Sequence, residues 1–184
     1  MLCFVVFEMN PEAQQMLDHV RGPFGVIAVA GRYRTGKSYL LNRVLLNRQK
    51  GFGVGPTIHP CTKGIWIWGA PLSGFTKNGD PINVLVIDSE GLGGLDEDNN
   101  HDMRIFSLAL LMSSHFVYNS MGQIDENAIQ NLSMVANLSQ LIQKKVGQGD
   151  ERDAIEQIFP DFLWVLRDFS LQLEDEDGNE ISPK

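Results

Sequence analysis

This sequence predicts an α/β fold with a mostly parallel central sheet, of the three-layer P-loop type. Two observations carry that prediction. Short apolar runs alternate with helical patterns along the 184 residues, as expected of strands joined by crossover helices. Between an apolar run, Phe24–Ala30, and a helical pattern stands Gly31-Arg32-Tyr33-Arg34-Thr35-Gly36-Lys37-Ser38. It fits the phosphate-cradling consensus G-x-x-x-x-G-K-[ST] in the strand, loop, helix context that gives the consensus meaning.

The elements follow in order. Met1–Phe7 is apolar, too short for a membrane span and without a basic start, and reads as an N-terminal strand. Further strands are expected over Val26–Ala30, Ile65–Trp68, Val84–Ile87, Phe116–Tyr118 and Phe162–Leu166. Helices are expected over Lys37–Leu46, about His101–Ser113, and Glu126–Lys145, where apolar residues recur at helical spacing. Asn78-Gly79-Asp80-Pro81 reads as a hairpin turn joining the second and third of the five strands, which would then be antiparallel. Gly147–Asp150 closes the long helix, and Glu174–Asn179 reads as a solvated turn.

Composition narrows the function. Hydrophobic residues make up 43% and charged residues 21%, ordinary for a globular domain. A net charge of -8 argues against nucleic acid or an acidic membrane surface as the main partner. Cys3 and Cys61 form neither a disulfide framework nor a metal spacing, so a reducing, cytoplasmic setting is expected. No apolar run approaches the roughly 18 residues of a transmembrane helix.

The chemistry expected of the loop follows from its parts. Its N–H groups and the helix start would face a phosphate, Lys37 would reach the β- and γ-phosphates, and Ser38 would bind Mg²⁺. Tyr39 adjoins the same nucleotide-contacting segment. Downstream, Val84–Ile87 ends in Asp88-Ser89-Glu90-Gly91. Asp88 would hold Mg²⁺ directly or through water, and the Gly91 N–H would meet the γ-phosphate where a side chain would clash. Thr62, in Pro60-Cys61-Thr62-Lys63-Gly64, lies where a switch loop belongs and could complete the metal shell. The guanine-reading tetrad N-K-x-D is absent, but the last strong strand ends in Arg167-Asp168. Asp168 could accept from guanine N1–H and its 2-amino group while Arg167 flanks the base. Composition alone balances this against a surface ion pair, and leaves an ATP-using enzyme open.

Taken together, residues 31–38, Cys61–Trp66, Asp88–Gly93, Leu166–Phe169 and the stretch Phe116–Ser120 resemble the guanylate-binding protein family, dynamin-related large GTPases related to atlastins. The resemblance runs from about Pro11 to the last residue. It implies a Ras-like G domain, single and incomplete at its C-terminus over residues 1–184, that hydrolyses GTP with Mg²⁺. It implies that Arg34 is an arginine finger supplied in cis, that Thr62 binds Mg²⁺ with Ser38 and Asp88, that Glu90 helps to position the attacking water, and that Asp168 reads guanine. It further implies nucleotide-dependent pairing of two copies through the G-domain face, and peripheral membrane attachment through regions outside this chain. Two places depart from that pattern. Pro60 stands where some relatives carry a water-positioning Ser, and Leu92 stands where Ras-like proteins carry the water-orienting Gln. A non-hydrolysing, GTP-dependent interaction module is therefore the second reading. An incomplete domain is also expected to expose the Phe162–Leu166 strand as a sheet edge.

Overall fold

A computed structural model describes residues 7–55, 62–93, 99–122, 126, 129–130, 133, 160–172, 174–175 and 177–181. Expectations for Met1–Val6, Pro60, Cys61 and Gly147–Asp150, and for most of Glu126–Lys145, lie outside them; Phe7 is described and lies in no strand. Within these limits the sheet is mixed and mostly parallel, in the order β2-β4-β1-β5-β6, with β3 also on β4. Its strands are β1 Phe24–Ala30, β2 Ile65–Ile67, β3 Leu72–Phe75, β4 Pro81–Ser89, β5 His115–Met121 and β6 Asp161–Arg167. β1 pairs in parallel with β4 and β5, and β5 in parallel with β6.

Alternation along each strand divides the core into two layers. Val26, Ala28 and Ala30 of β1, Leu85 and Ile87 of β4, and Phe116 and Tyr118 of β5 face helix α3 (Asn99–Met112), through Phe106, Ala109 and Leu110. Val29, Val86 and Val117 face the other way, onto Leu41, Leu46 and Phe52. Phe106 meets Phe116 and Tyr118 edge-on, at ring-centroid separations of 5.4 and 6.0 Å, a favoured aromatic geometry.

Three expectations need correction. The turn over Thr76–Asp80 joins β3 to β4, not β2 to β4, because Leu72–Phe75 is an extra strand on the N-terminal half of β4. The β2 strand is nonetheless antiparallel to β4, on its C-terminal half. The helix expected over Lys37–Leu46 is α-helical only at α2, Lys37–Leu40, and continues as a π turn over Leu41–Leu45. There the buried Asn42 side chain is engaged by Phe52, accepting from its N–H at 2.8 Å and donating to its carbonyl at 3.0 Å. Finally, an unforeseen helix, α1 (Pro11–His19), opens the described chain, capped by the Asn10 side chain. As expected, β6 is an outer strand of the described sheet, with Phe162 and Leu163 exposed. No described helix is long and apolar enough to cross a membrane.

Candidate functional site: a phosphate loop and its carboxylate partner

The loop 31–38 leaves the C-terminal end of β1, between β4 and β5, where open α/β sheets bind ligands. Gly31 has φ +147°, and a Cβ there would lie 2.0 Å from the Asn119 carbonyl oxygen. Only glycine lets the chain pass so close to β5. Gly36, at φ +79°, opens α2, with the Arg167 guanidinium 2.4 Å from where its Cβ would stand. Between them Arg34 holds φ 60°, a left-handed conformation that costs an ordinary residue about 1–2 kcal/mol.

Two side chains from neighbouring strands hold that bend. Asn119, in the C-terminal half of β5 and fully buried, donates from Nδ2 to the Thr35 carbonyl at 3.0 Å and to Thr35 Oγ1 at 2.9 Å. Arg167, at the end of β6, donates to the same carbonyl at 2.9 Å. Its guanidinium, expected to flank a base, is thus tied to the phosphate loop. Thr35 Oγ1 in turn donates to the Arg32 carbonyl at 2.8 Å.

A second tie comes from the segment after β4. The Tyr33 N–H donates to the Leu92 carbonyl at 2.9 Å, and the Leu92 N–H donates to the Gly31 carbonyl at 3.0 Å. These bonds form a short parallel bridge between Arg32 and Leu92. Gly91 is fitted against it: a Cβ would lie 2.2 Å from Tyr33 Cα. The P-loop backbone itself therefore excludes a side chain at Gly91. The Leu92 side chain packs into the α3-side core.

The charged groups are buried in this frame. Lys37 Nζ donates to the Arg32 carbonyl at 3.2 Å. Desolvation lowers its pKa to about 8, outweighing the pull of Asp88 and Glu90. Ser38 Oγ donates to Asp88 Oδ2 at 2.6 Å, and Thr62 Oγ1 donates to the same oxygen at 3.1 Å. Burial raises the Asp88 pKa, opposed by the Ser38 bond, the Lys37 charge and the Thr62 bond. Asp88 Oδ1 is buried with no hydrogen-bond partner. Two hydroxyls, a shared carboxylate oxygen and one orphaned oxygen form a hard donor set. It suits Mg²⁺, which takes one or two carboxylates together with phosphates and water rather than a protein cage. No group of three or more His, Cys, Asp or Glu that could hold a metal occurs among the described residues.

Glu90, also buried, accepts at Oε2 from the Gly64 N–H at 2.7 Å, and the same oxygen lies 3.2 Å from His101 Nε2. Asp168 follows β6 directly and holds φ 53°. Tyr39 is half exposed, with the Arg43 guanidinium over its ring at 5.5 Å.

The structure therefore gathers the Gly31–Ser38 loop, Thr62, Asp88, Glu90, Gly91 and Arg167 at one end of the sheet. Asn119, Gly64 and His101 were not foreseen as site residues. For Asn119 a signal existed: a polar residue ends the apolar run Phe116–Tyr118, in a strand beside β1.

An α/β P-loop G domain is the class that this fold and loop define. The chain belongs to the guanylate-binding protein family, since the family profile described as Guanylate-binding protein, N-terminal domain, matches residues 5–184. It is 44% identical over 181 residues to guanylate-binding protein 1 of Homo sapiens, covering 95% of this chain and 30% of that protein. To guanylate-binding protein 1 of Chlorocebus aethiops it is 46% identical, covering 95% and 29%. To guanylate-binding protein 3 of Mus musculus it is 45% identical, covering 90% and 27%. The chain thus spans less than a third of these relatives' lengths.

Proposed function

We propose that this chain is a single, partial G domain that binds GTP and hydrolyses it to GDP and phosphate. One observation carries most of the weight. Ser38, from the phosphate loop, and Thr62, from the loop before β2, both donate to one buried oxygen of Asp88, beside the buried Lys37. That cluster of hydroxyls, carboxylate and cation is what a triphosphate with its metal needs. Ser38, Thr62 and Asp88 would hold Mg²⁺, which supplies charge neutralisation on the phosphates when bound. In the reaction, water attacks the γ-phosphorus in line, the bond to the β–γ bridging oxygen breaks, and GDP leaves with that electron pair. The proton of the attacking water passes to a phosphate oxygen.

The residues divide the work. Backbone N–H groups of residues 31–38 cradle the phosphates, with Tyr39 at their edge, and the Gly91 N–H meets the γ-phosphate. Lys37 balances phosphate charge, and Arg34 stabilises the charge that grows in the transition state. Glu90 orders the water side of the site. Asp168 reads guanine, and Arg167 holds the loop beneath it. Pairing of two copies on nucleotide binding and peripheral membrane attachment follow from the family resemblance alone, and a cytoplasmic setting from the sparse cysteines.

The burial of Leu92 in the core favours a second reading, a GTP-dependent module without turnover, because the usual water-orienting position offers no polar group. Single-turnover release of the γ-phosphate from labelled GTP separates the two. Release within minutes at saturating protein supports hydrolysis; intact GTP after hours supports the module.

A further inference from the structure

We propose that His101 is a positioning residue: through Glu90 it fastens the loop that carries Thr62 against the phosphate site. This rests on the reading above for the phosphate site, for Thr62 as a metal ligand and for the part given to Glu90 in hydrolysis. The observation behind it is that one buried oxygen joins three chain segments. Glu90 Oε2 accepts from Gly64 N–H at 2.7 Å and lies 3.2 Å from His101 Nε2. An ionised carboxylate only accepts, so the imidazole proton belongs on Nε2. The Glu90 N–H also donates to the Gly64 carbonyl at 2.8 Å, which makes the Glu90–Gly64 contact reciprocal. Gly64 stands two residues after Thr62, the side chain that reaches Asp88. Position along the chain therefore links His101, on the first turn of α3, to the proposed metal ligand.

The approach of His101 is itself constrained. Its neighbour Asp102 accepts from the Gly93 N–H at 2.5 Å, anchoring the start of α3 to the segment after β4. The Phe7 ring lies 6.0 Å from the imidazole, centroid to centroid. Glu90 and His101 side chains are only 4% and 14% exposed, so water is a poor substitute for the lost partner. With the imidazole removed, the Glu90 carboxylate keeps one known anchor at Oε2 and gains rotational freedom. The grip on Gly64 then weakens, and Thr62 is held less firmly toward Asp88.

The test uses His101→Ala and His101→Gln in the whole protein, with Glu90→Gln as a control. Amide exchange at Gly64, followed by NMR without nucleotide, reads the tie directly. Single-turnover phosphate release and GTP affinity read its consequence. His101→Ala should speed exchange at Gly64 roughly tenfold, as expected from weakening one charge-assisted hydrogen bond. It should slow phosphate release by a similar factor while GTP affinity stays within about twofold. His101→Gln, which keeps an N–H donor at comparable reach, should recover both. If the alanine variant does not fold, His101→Met, of similar volume without a donor, takes its place. Unchanged Gly64 exchange in the donor-free variant, or a glutamine variant no better than it, would overturn the proposal. If His101→Ala loosens Gly64 while Glu90→Gln releases phosphate at the wild-type rate, the tie stands and the role given to Glu90 in hydrolysis fails.

Discussion

Replacing Lys37 with methionine should make the protein more stable and unable to hold GTP. Desolvation is the largest influence on Lys37 and takes its pKa from 10.5 to about 8. At 1.36 kcal/mol per unit, that shift corresponds to about 3 kcal/mol of destabilisation at pH 7. Methionine fills a similar volume without the charge. The Arg32 carbonyl keeps a donor in Thr35 Oγ1 at 2.8 Å. The attraction of Asp88 and Glu90 is already contained in that shift; imperfect packing of the thioether takes back part of it, so the net gain should be about 1–3 kcal/mol. The pH dependence follows from linkage. Unfolded lysine keeps its proton up to 10.5, while the folded group releases it near 8. Between those values the unfolded state binds more protons, so wild-type stability should rise with pH across that window, relative to the variant. Urea unfolding at pH 7 and pH 10 measures both effects, and the advantage of Lys37→Met should largely vanish at pH 10. GTP affinity should fall by about 100-fold or more, since a buried charge partner of the phosphates is gone. A variant less stable than wild type at pH 7, or one that still binds GTP well, would refute the reasoning.

Other substitutions test other parts of the site. Gly91→Ala drives a methyl to within 2.2 Å of Tyr33 Cα and should cost about 1–3 kcal/mol in urea unfolding; a change below about 0.5 kcal/mol would contradict the packing described. Asn119→Leu removes both donations to Thr35 and should weaken GTP binding by about tenfold or more, measured by calorimetric titration; unaltered affinity would mean that Arg167 alone suffices to shape the loop. Arg34→Ala should leave GTP affinity within a few-fold and slow phosphate release by about 10³-fold; equal losses in binding and release would remove the transition-state role.

The phosphate loop, the parallel strands beside it and the Asp88 partner were legible because their signals are local. A consensus of eight residues and an apolar strand ending in an acid need no tertiary information. The β3 strand was not legible: Leu72-Ser73-Gly74-Phe75 has a central glycine and no β-branched residue, and it exists through pairing with β4. The π turn was hidden because its side-chain partner is Phe52, ten residues away from Asn42. The α1 helix went unforeseen although Asn10-Pro11-Glu12 is a capping signal, because it buries no residue and so lacks a strong apolar stripe. In the site, the reason for Gly91 was only half visible. A ligand clash can be inferred from a motif, whereas contact with Tyr33 depends on how two loops meet. Asn119 and His101 act at sequence separations of 84 and 11, and nothing in their immediate neighbours discloses their partners. Arg167 was singled out for the base, yet its observed bond is to the loop carbonyl of Thr35.

The central claim is that the loop after β1 binds a triphosphate and that Asp168 selects guanine. Competitive calorimetric titration with GTP and ATP, in Mg²⁺, of the wild-type chain and Asp168→Asn tests it most directly. Expected are one GTP site in the wild type, ATP unable to displace it, and loss of that preference in Asp168→Asn. No heat at millimolar GTP, or equal competition by ATP in the wild type, would contradict it.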